Sequence, residues 1–267
     1  MVTLDHMSYS TYNTYDMCPR SMYLGKVKKA WSRGAWFFVT GSLVHEAVES
    51  RLKGEDYDTR SNLYRLVAEQ METDPDVDNW HSGTYLGEPA AKENALRLAD
   101  DCIAEAYRWI DEEFTSITMI EMDLSGFLPG CEVEIKGYAD VLGEHKKHGP
   151  CTVDWKSSAQ KPANNFQLET YRALELVQGL DRYKTGLWAM LRPGTSRARP
   201  VDLSKVDPAE VGAKYQKVYD RIKSGIFPTQ AGWACKICVQ DVNCALKATD
   251  KQRSRFYDDV GTFHLPF

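Results

Sequence analysis

Two carboxylates and a lysine in the middle of the chain have the types and spacing that phosphoryl chemistry needs. Gly137-Tyr138-Ala139-Asp140 ends one apolar, β-branched segment, and Thr152-Val153-Asp154-Trp155-Lys156-Ser157 forms the next. Residues two apart in a strand point to the same face. Asp154 and Lys156 therefore project side by side, while Val153 and Trp155 face the other way. A charged pair on an otherwise buried strand is costly unless something compensates, and a divalent cation would. Asp140 and Asp154 offer hard oxygen ligands to Mg²⁺ or Mn²⁺, and such an ion acidifies a water and polarises a phosphodiester. Lys156 would orient that water or offset the charge of the transition state. An ordinary Asp–Lys pair at a sheet edge has the same spacing.

Two helices offer companions. His45 and Glu49 are four apart and share a face. His45 borders an apolar stripe and suits either a core histidine or a nitrogen ligand, which would favour Mn²⁺. Gln167 and Tyr171 repeat the four-residue spacing on the helix after the third strand, the one that carries Asp154 and Lys156. Their amide and phenol could bind a scissile phosphate or position Lys156. The plainer reading is a surface glutamine and a core tyrosine.

Cys235-x-x-Cys238 and Cys244 put three thiols within ten residues, and Cys18, in Cys18-Pro19-Arg20, is the candidate fourth. Four thiolates accept Zn²⁺ or an iron–sulfur centre, and spacing does not choose between them. Cys102, Cys131 and Cys151 sit in apolar surroundings and read as buried thiols.

The elements that must position these groups change in texture along the chain. Ser8 to Lys28 reads as a helix and its exit, capped by Ser8 or Ser10. Ser42 is expected to cap a second helix with Leu43, Val44, Ala47, Val48 and Leu52 on its apolar face. Asp56 to Phe114 is helix-rich, broken by turn residues at 74–89, and ends in a helix over Ala91 to Phe114. Ile117–Leu124, Cys131–Leu142 and Cys151–Ser157 are expected strands. A helix capped by Asn164 follows to about Gln178, then strands at Tyr183–Leu191 and Arg199–Leu203. A last helix starts at Pro208 behind an Asp207 cap and runs to about Ser224. The order predicts an α/β fold: one domain over 1–267, with an acidic helical insertion at 46–115 and a cysteine module made of residue 18 and 225–250.

With 267 residues, 43% of them hydrophobic, the chain can bury a substantial core. No apolar run approaches a membrane span. The segment Met1 to His6 carries no secretory pattern, so the seven cysteines are expected in a reducing cytoplasm. The net charge of −5 is unevenly spread, with 18 acidic against 7 basic residues between Glu46 and Glu113. Arg20, Lys26, Lys28 and Lys29 alternate with Tyr23 and Trp31. Arg182, Lys184, Arg192, Arg197 and Arg199 accompany Tyr183 and Trp188. Such stretches suit single-stranded nucleic acid, where phosphates meet charge and bases stack. They equally suit solvated faces over buried aromatic anchors.

Taken in order, His45, Gly137-x-x-Asp140, Asp154-x-Lys156 and Gln167-x-x-x-Tyr171 resemble the PD-(D/E)XK nucleases of the RecB type, most of all the CRISPR-associated exonuclease (Cas-four) branch. The resemblance runs from Tyr9 to Cys244. It implies a restriction-endonuclease-like core, a mixed sheet flanked by helices. It implies a metal site of His45, Asp140, Asp154 and the backbone carbonyl of Trp155, with Lys156 catalytic and Gln167 and Tyr171 beside it. It implies exonuclease action on single-stranded DNA ends, 5′→3′, without a covalent intermediate. Its one cysteine before the core and three after it imply a [4Fe–4S] cluster on Cys18, Cys235, Cys238 and Cys244, with Zn²⁺ the alternative. Relatives of this kind work with an integrase, a helicase or a recombination factor. This sequence has no Gly-x-x-x-x-Gly-Lys-Ser/Thr loop, so it would act alone or borrow a motor. A second reading is a DNA-end-binding accessory subunit of a CRISPR spacer-acquisition or recombination complex, and a third is a zinc-stabilised, silent nuclease fold.

Overall fold

A computed structural model describes residues 2–81, 91–244 and 246. Residues 82–89 of the expected turn-rich break, and 245 and 247–250 of the cysteine module, lie outside them. At the centre is a five-stranded mixed sheet of β2 (Phe114–Asp123), β4 (Tyr138–His145), β5 (Gly149–Lys156), β6 (Thr185–Met190) and β7 (Arg197–Asp202), in that spatial order. Only the β5–β6 pair is parallel. A parallel pair needs a crossover, and α6 (Phe166–Val177) supplies it.

Helices cover both faces. On one, Leu142, Trp188 and Met190 pack with α6, α7 (Pro208–Lys223) and α1 (Tyr9–Met17). On the other, Val141, Val153, Trp155, Leu187 and Ala189 pack with α3 (Trp36–Lys53), α4 (Thr59–Met71) and α5 (Ala91–Glu112). The alternation of Val153 and Trp155 against Asp154 and Lys156 thus separates two environments. The acidic segment furnishes the second helical layer: α5 turns Ala95, Ala99, Cys102, Ala106 and Trp109 inward. Cys102, Cys131 and Cys151 are buried, as their apolar surroundings suggest.

Several boundaries differ from expectation for definite reasons. Ser42 caps nothing; α3 starts six residues earlier, at Trp36. Ala35 at its N-cap has no side chain to offer, and the carbonyl of His81 accepts the Trp36 N–H instead at 3.0 Å. The segment Cys131–Leu142 is two strands. β3 (Glu134–Lys136) pairs in parallel with β1 (His6–Ser8) in a separate sheet, and β4 begins after Gly137, so the Gly137–Asp140 motif opens a strand rather than ending one. A Cβ at Gly137 would lie 2.9 Å from Leu174 of α6, so glycine lets that helix settle onto the strand opening. The first helix breaks at Cys18, which is extended because Pro19 follows. It resumes as α2 (Pro19–Met22) and a π-helical turn at Tyr23–Val27. Asn165, not Asn164, is the N-cap of α6, although Asn164 Oδ1 accepts the Phe166 N–H. Ser8 and Asp207 cap α1 and α7 as read from the sequence.

Candidate active site

The pairing of β4 with β5 ends at Val141 and Val153, and the strands then part. Asp140 fills the opening, its Oδ2 accepting the backbone N–H of Trp155 at 2.7 Å. The N–H and C=O of a strand residue face the same neighbour, so the Trp155 carbonyl turns toward this opening as well. Asp154 and Lys156 line its other side, with Lys156 Nζ 2.5 Å from Asp154 Oδ1. Above them stands α3, whose His45 brings Nδ1 to 3.4 Å from Asp140 Oδ1. Glu49, one turn on, pairs with Lys53 instead.

Helix α6 lies along β5 and matches it rung by rung. Gln167, Tyr171 and Glu175 recur every four residues. Lys156 donates to Gln167 Oε1 at 3.2 Å, and Gln167 donates to the Tyr171 hydroxyl at 2.8 Å. Tyr171 reaches Asp154 Oδ2 at 3.4 Å. Thr152 donates to Glu175, which also faces Arg172 at 3.6 Å.

Glu121 was missed in the sequence. The pairs Ile120–Val141 and Met122–Ala139 put it opposite Asp140 across β2 and β4. Its φ of 46° is left-handed, a strained conformation for a non-glycine residue and one that clusters at functional sites. Ligand atoms of His45, Glu121 and Asp140 lie within 4.8 Å of one another, the one such group among the described residues. Asp154 is not in that group, since its oxygens lean toward Lys156 and Tyr171. A run of Ile-Glu-Met in a β-strand was the only visible hint.

The electrostatics match a crowd of carboxylates sharing few cations. The charge of Asp140 raises the His45 imidazole to about 9. Burial opposes ionisation of Asp140, but His45, Lys156 and the Trp155 N–H prevail and hold it below the usual carboxylate range. Burial, then the charge of Asp140, holds Asp154 above that range despite Lys156. Burial and Asp140 push Glu121 up to about 7. An imidazole nitrogen and several carboxylate oxygens around one opening fit a hard or borderline divalent cation.

The family comparison decides the class. The PD-(D/E)XK nuclease superfamily matches residues 6–245. The chain belongs to the PD-(D/E)XK nuclease superfamily. As a member it is a metal-dependent nuclease of the kind that uses Mg²⁺ or Mn²⁺ and acts on DNA, and its mixed sheet between helical layers agrees with that core. Nine chains of solved structures are similar to this nuclease. One, described as "Crystal structure of SSO0001", is 15% identical with a TM-score of 0.40, covering 79% of this chain and 98% of that one. No curated protein matches the chain.

The four cysteines of this nuclease line one cavity of about 440 Å³ where residues 9–38 meet residues 229–244. They do not converge as His45, Glu121 and Asp140 do. The two segments are joined otherwise: Tyr15 donates to the Ile226 carbonyl at 2.6 Å, and Arg33 pairs with Asp241 at 3.4 Å. Lys26, Lys28 and Lys29 are exposed, whereas the Tyr23 ring stacks on Phe227 at 4.4 Å with Arg20 and Lys28 over it, so that ring is already engaged. Trp31 is partly exposed, and its carbonyl accepts from Asn243. Tyr183 and Trp188 of the second basic stretch are core residues, and Arg182 and Lys184 pair with Glu144 and Asp181. There the solvated-face reading holds. No described helix is long and apolar enough to cross a membrane.

Proposed function

We propose that the protein is a metal-dependent DNA exonuclease that acts on single-stranded ends, with 5′→3′ polarity. The observation that supports metal-dependent cleavage is the meeting of His45, Asp140, Asp154, Lys156, Gln167 and Tyr171 where β4 and β5 part, while the end preference and polarity follow from the family resemblance. His45, Asp140, Asp154 and the Trp155 carbonyl would hold the divalent ion, with Glu121 an added carboxylate from β2. The ion, when bound, supplies an acidified water and a polarised phosphodiester oxygen. Lys156, held by Asp154 and Gln167 at the opening, would offset the negative charge that grows on the phosphoryl group. Gln167 holds Lys156 in place by accepting a hydrogen bond from its ammonium, and is itself held by Tyr171. Asp154 holds the Lys156 ammonium at the opening through their ion pair.

Cys18, Cys235, Cys238 and Cys244 hold a [4Fe–4S] cluster in this reading. Their support is a shared cavity between residues 9–38 and 229–244. The cluster would be structural, joining the two segments. An integrase, helicase or recombination factor is the expected partner.

The test is a nuclease assay on end-labelled single and double strands with Mg²⁺, Mn²⁺ or EDTA. Stepwise loss of a 5′ label from linear single strands, abolished by EDTA, supports the proposal. Equal cutting of circular single strands overturns the exonuclease assignment, and cutting in EDTA overturns the metal.

A further inference from the structure

Phe38 is 54% exposed on a helix whose neighbours Trp36, Val39 and Thr40 are buried. It stands seven residues before His45, two turns along the same face, or about 10 Å along the axis. Gly41 and Ser42 lie between them on that face, and a Cβ at Gly41 would meet nothing within 4 Å. The helix therefore presents an aromatic ring, a low floor of small residues and a metal-site histidine in line.

The ring is held rather than loose. Phe37 packs against it at 4.5 Å and meets His81 edge-on at 5.9 Å. The first turn beneath is tied to the His81 strap, and Gly34 donates its N–H to buried Asp74 at 2.7 Å. Phe38 also walls the cavity of about 440 Å³ that opens beside Lys156 and Gln167, faces Tyr9 and Asn13 of α1, and extends to Arg20. That volume is in the range of small-ligand sites, roughly 300–1,000 Å³.

We propose that this bay seats one unpaired nucleotide next to the cut, its base on Phe38 and its flanking phosphates toward Lys156 and Arg20. The inference rests on the nuclease reading and extends it to the substrate's path. Lys156 and Arg20 on the lining suit phosphates, and the exposed Phe38 ring on the same lining suits a base face. A paired base has both faces covered by its neighbours in the stack, so the bay selects single-stranded ends.

The test uses full-length Asp154→Asn protein, to block cutting, and single-stranded oligonucleotides with 2-aminopurine at successive positions from the 5′ end. The proposal expects quenching at one position beyond that of free DNA, lost in Phe38→Ala with about a tenfold rise in Kd and kept in Phe38→Trp. Quenching at no position, or quenching that survives Phe38→Ala, overturns it. The underlying reading is checked separately: if wild-type protein fails to hydrolyse a linear single strand with any divalent ion, that reading falls instead.

Discussion

The carboxylate of Asp140 accepts the main-chain N–H of Trp155 at 2.7 Å, taking over a pairing that the β4 backbone gives up where the strands part. One oxygen thereby holds the opening while the other faces His45 at 3.4 Å. Ligand placement and sheet geometry are therefore the same interaction.

Lys156 is only 23% exposed and is held by Asp154 and Gln167. Lys156→Ala should lower single-turnover cleavage by about 10²–10³-fold, the usual cost of losing a preorganised donor to transition-state charge. Mn²⁺ affinity should change little. Cleavage within threefold of wild type would show that Lys156 serves only to neutralise Asp154.

Glu121 sits left-handed against Asp140, and its carboxyl is pushed up to about 7 by burial and that neighbour. Glu121→Gly should relieve backbone strain and crowding, raising metal-free stability by about 1 kcal/mol. The same change should weaken Mn²⁺ binding. Urea unfolding and calorimetric titration read the two effects. A variant that is less stable and binds Mn²⁺ unchanged would remove Glu121 from the site.

The pair at the centre was legible because strand alternation is local: Asp154 and Lys156 had to share a face wherever the strand went. His45, Gln167 and Tyr171 were legible because helical spacing is equally local. Glu121 was not, because its place opposite Asp140 comes from pairing between two strands and a left-handed residue that no local pattern announces. The start of α3 was misjudged for a similar reason, since its first N–H is satisfied by His81, forty-five residues away. Likewise β1 is three residues long and exists only through β3. The thiols were visible from Cys-x-x-Cys, but the cavity they share depends on residues 9–38 meeting residues 229–244, far apart in the sequence.

Glu175 is fully buried between Thr152 and Arg172, and burial raises its carboxyl from an ordinary 4.5 to about 7. Between those values the folded chain keeps a proton that the unfolded chain has lost. Stability should therefore fall as pH rises from 4.5 to 7, by on the order of 3 kcal/mol from this group. Glu175→Gln should remove that part of the slope. Thermal melts across pH 4.5–8 decide it, and parallel curves for the two proteins would refute the assignment.

Cys238 lies in the shared cavity near Cys18, with Ser21 Oγ 3.7 Å from its sulfur. Protein purified without oxygen should be brown, absorbing near roughly 400 nm as iron–sulfur proteins do. Cys238→Ser should lower iron content and soluble yield. A colourless protein with bound zinc, or iron content unchanged in the variant, would contradict the [4Fe–4S] reading.

The central claim is that Asp140 joins His45 and Asp154 around one divalent ion. Isothermal titration of Mn²⁺ into wild-type and Asp140→Asn protein tests it most directly, because binding is read without DNA or turnover. The account predicts a bound Mn²⁺ in wild type and at least a hundredfold weaker binding in a folded Asp140→Asn variant, as expected for loss of a direct ligand when outer partners alone cost about 10–100-fold. Equal Mn²⁺ affinity in the two proteins would contradict it.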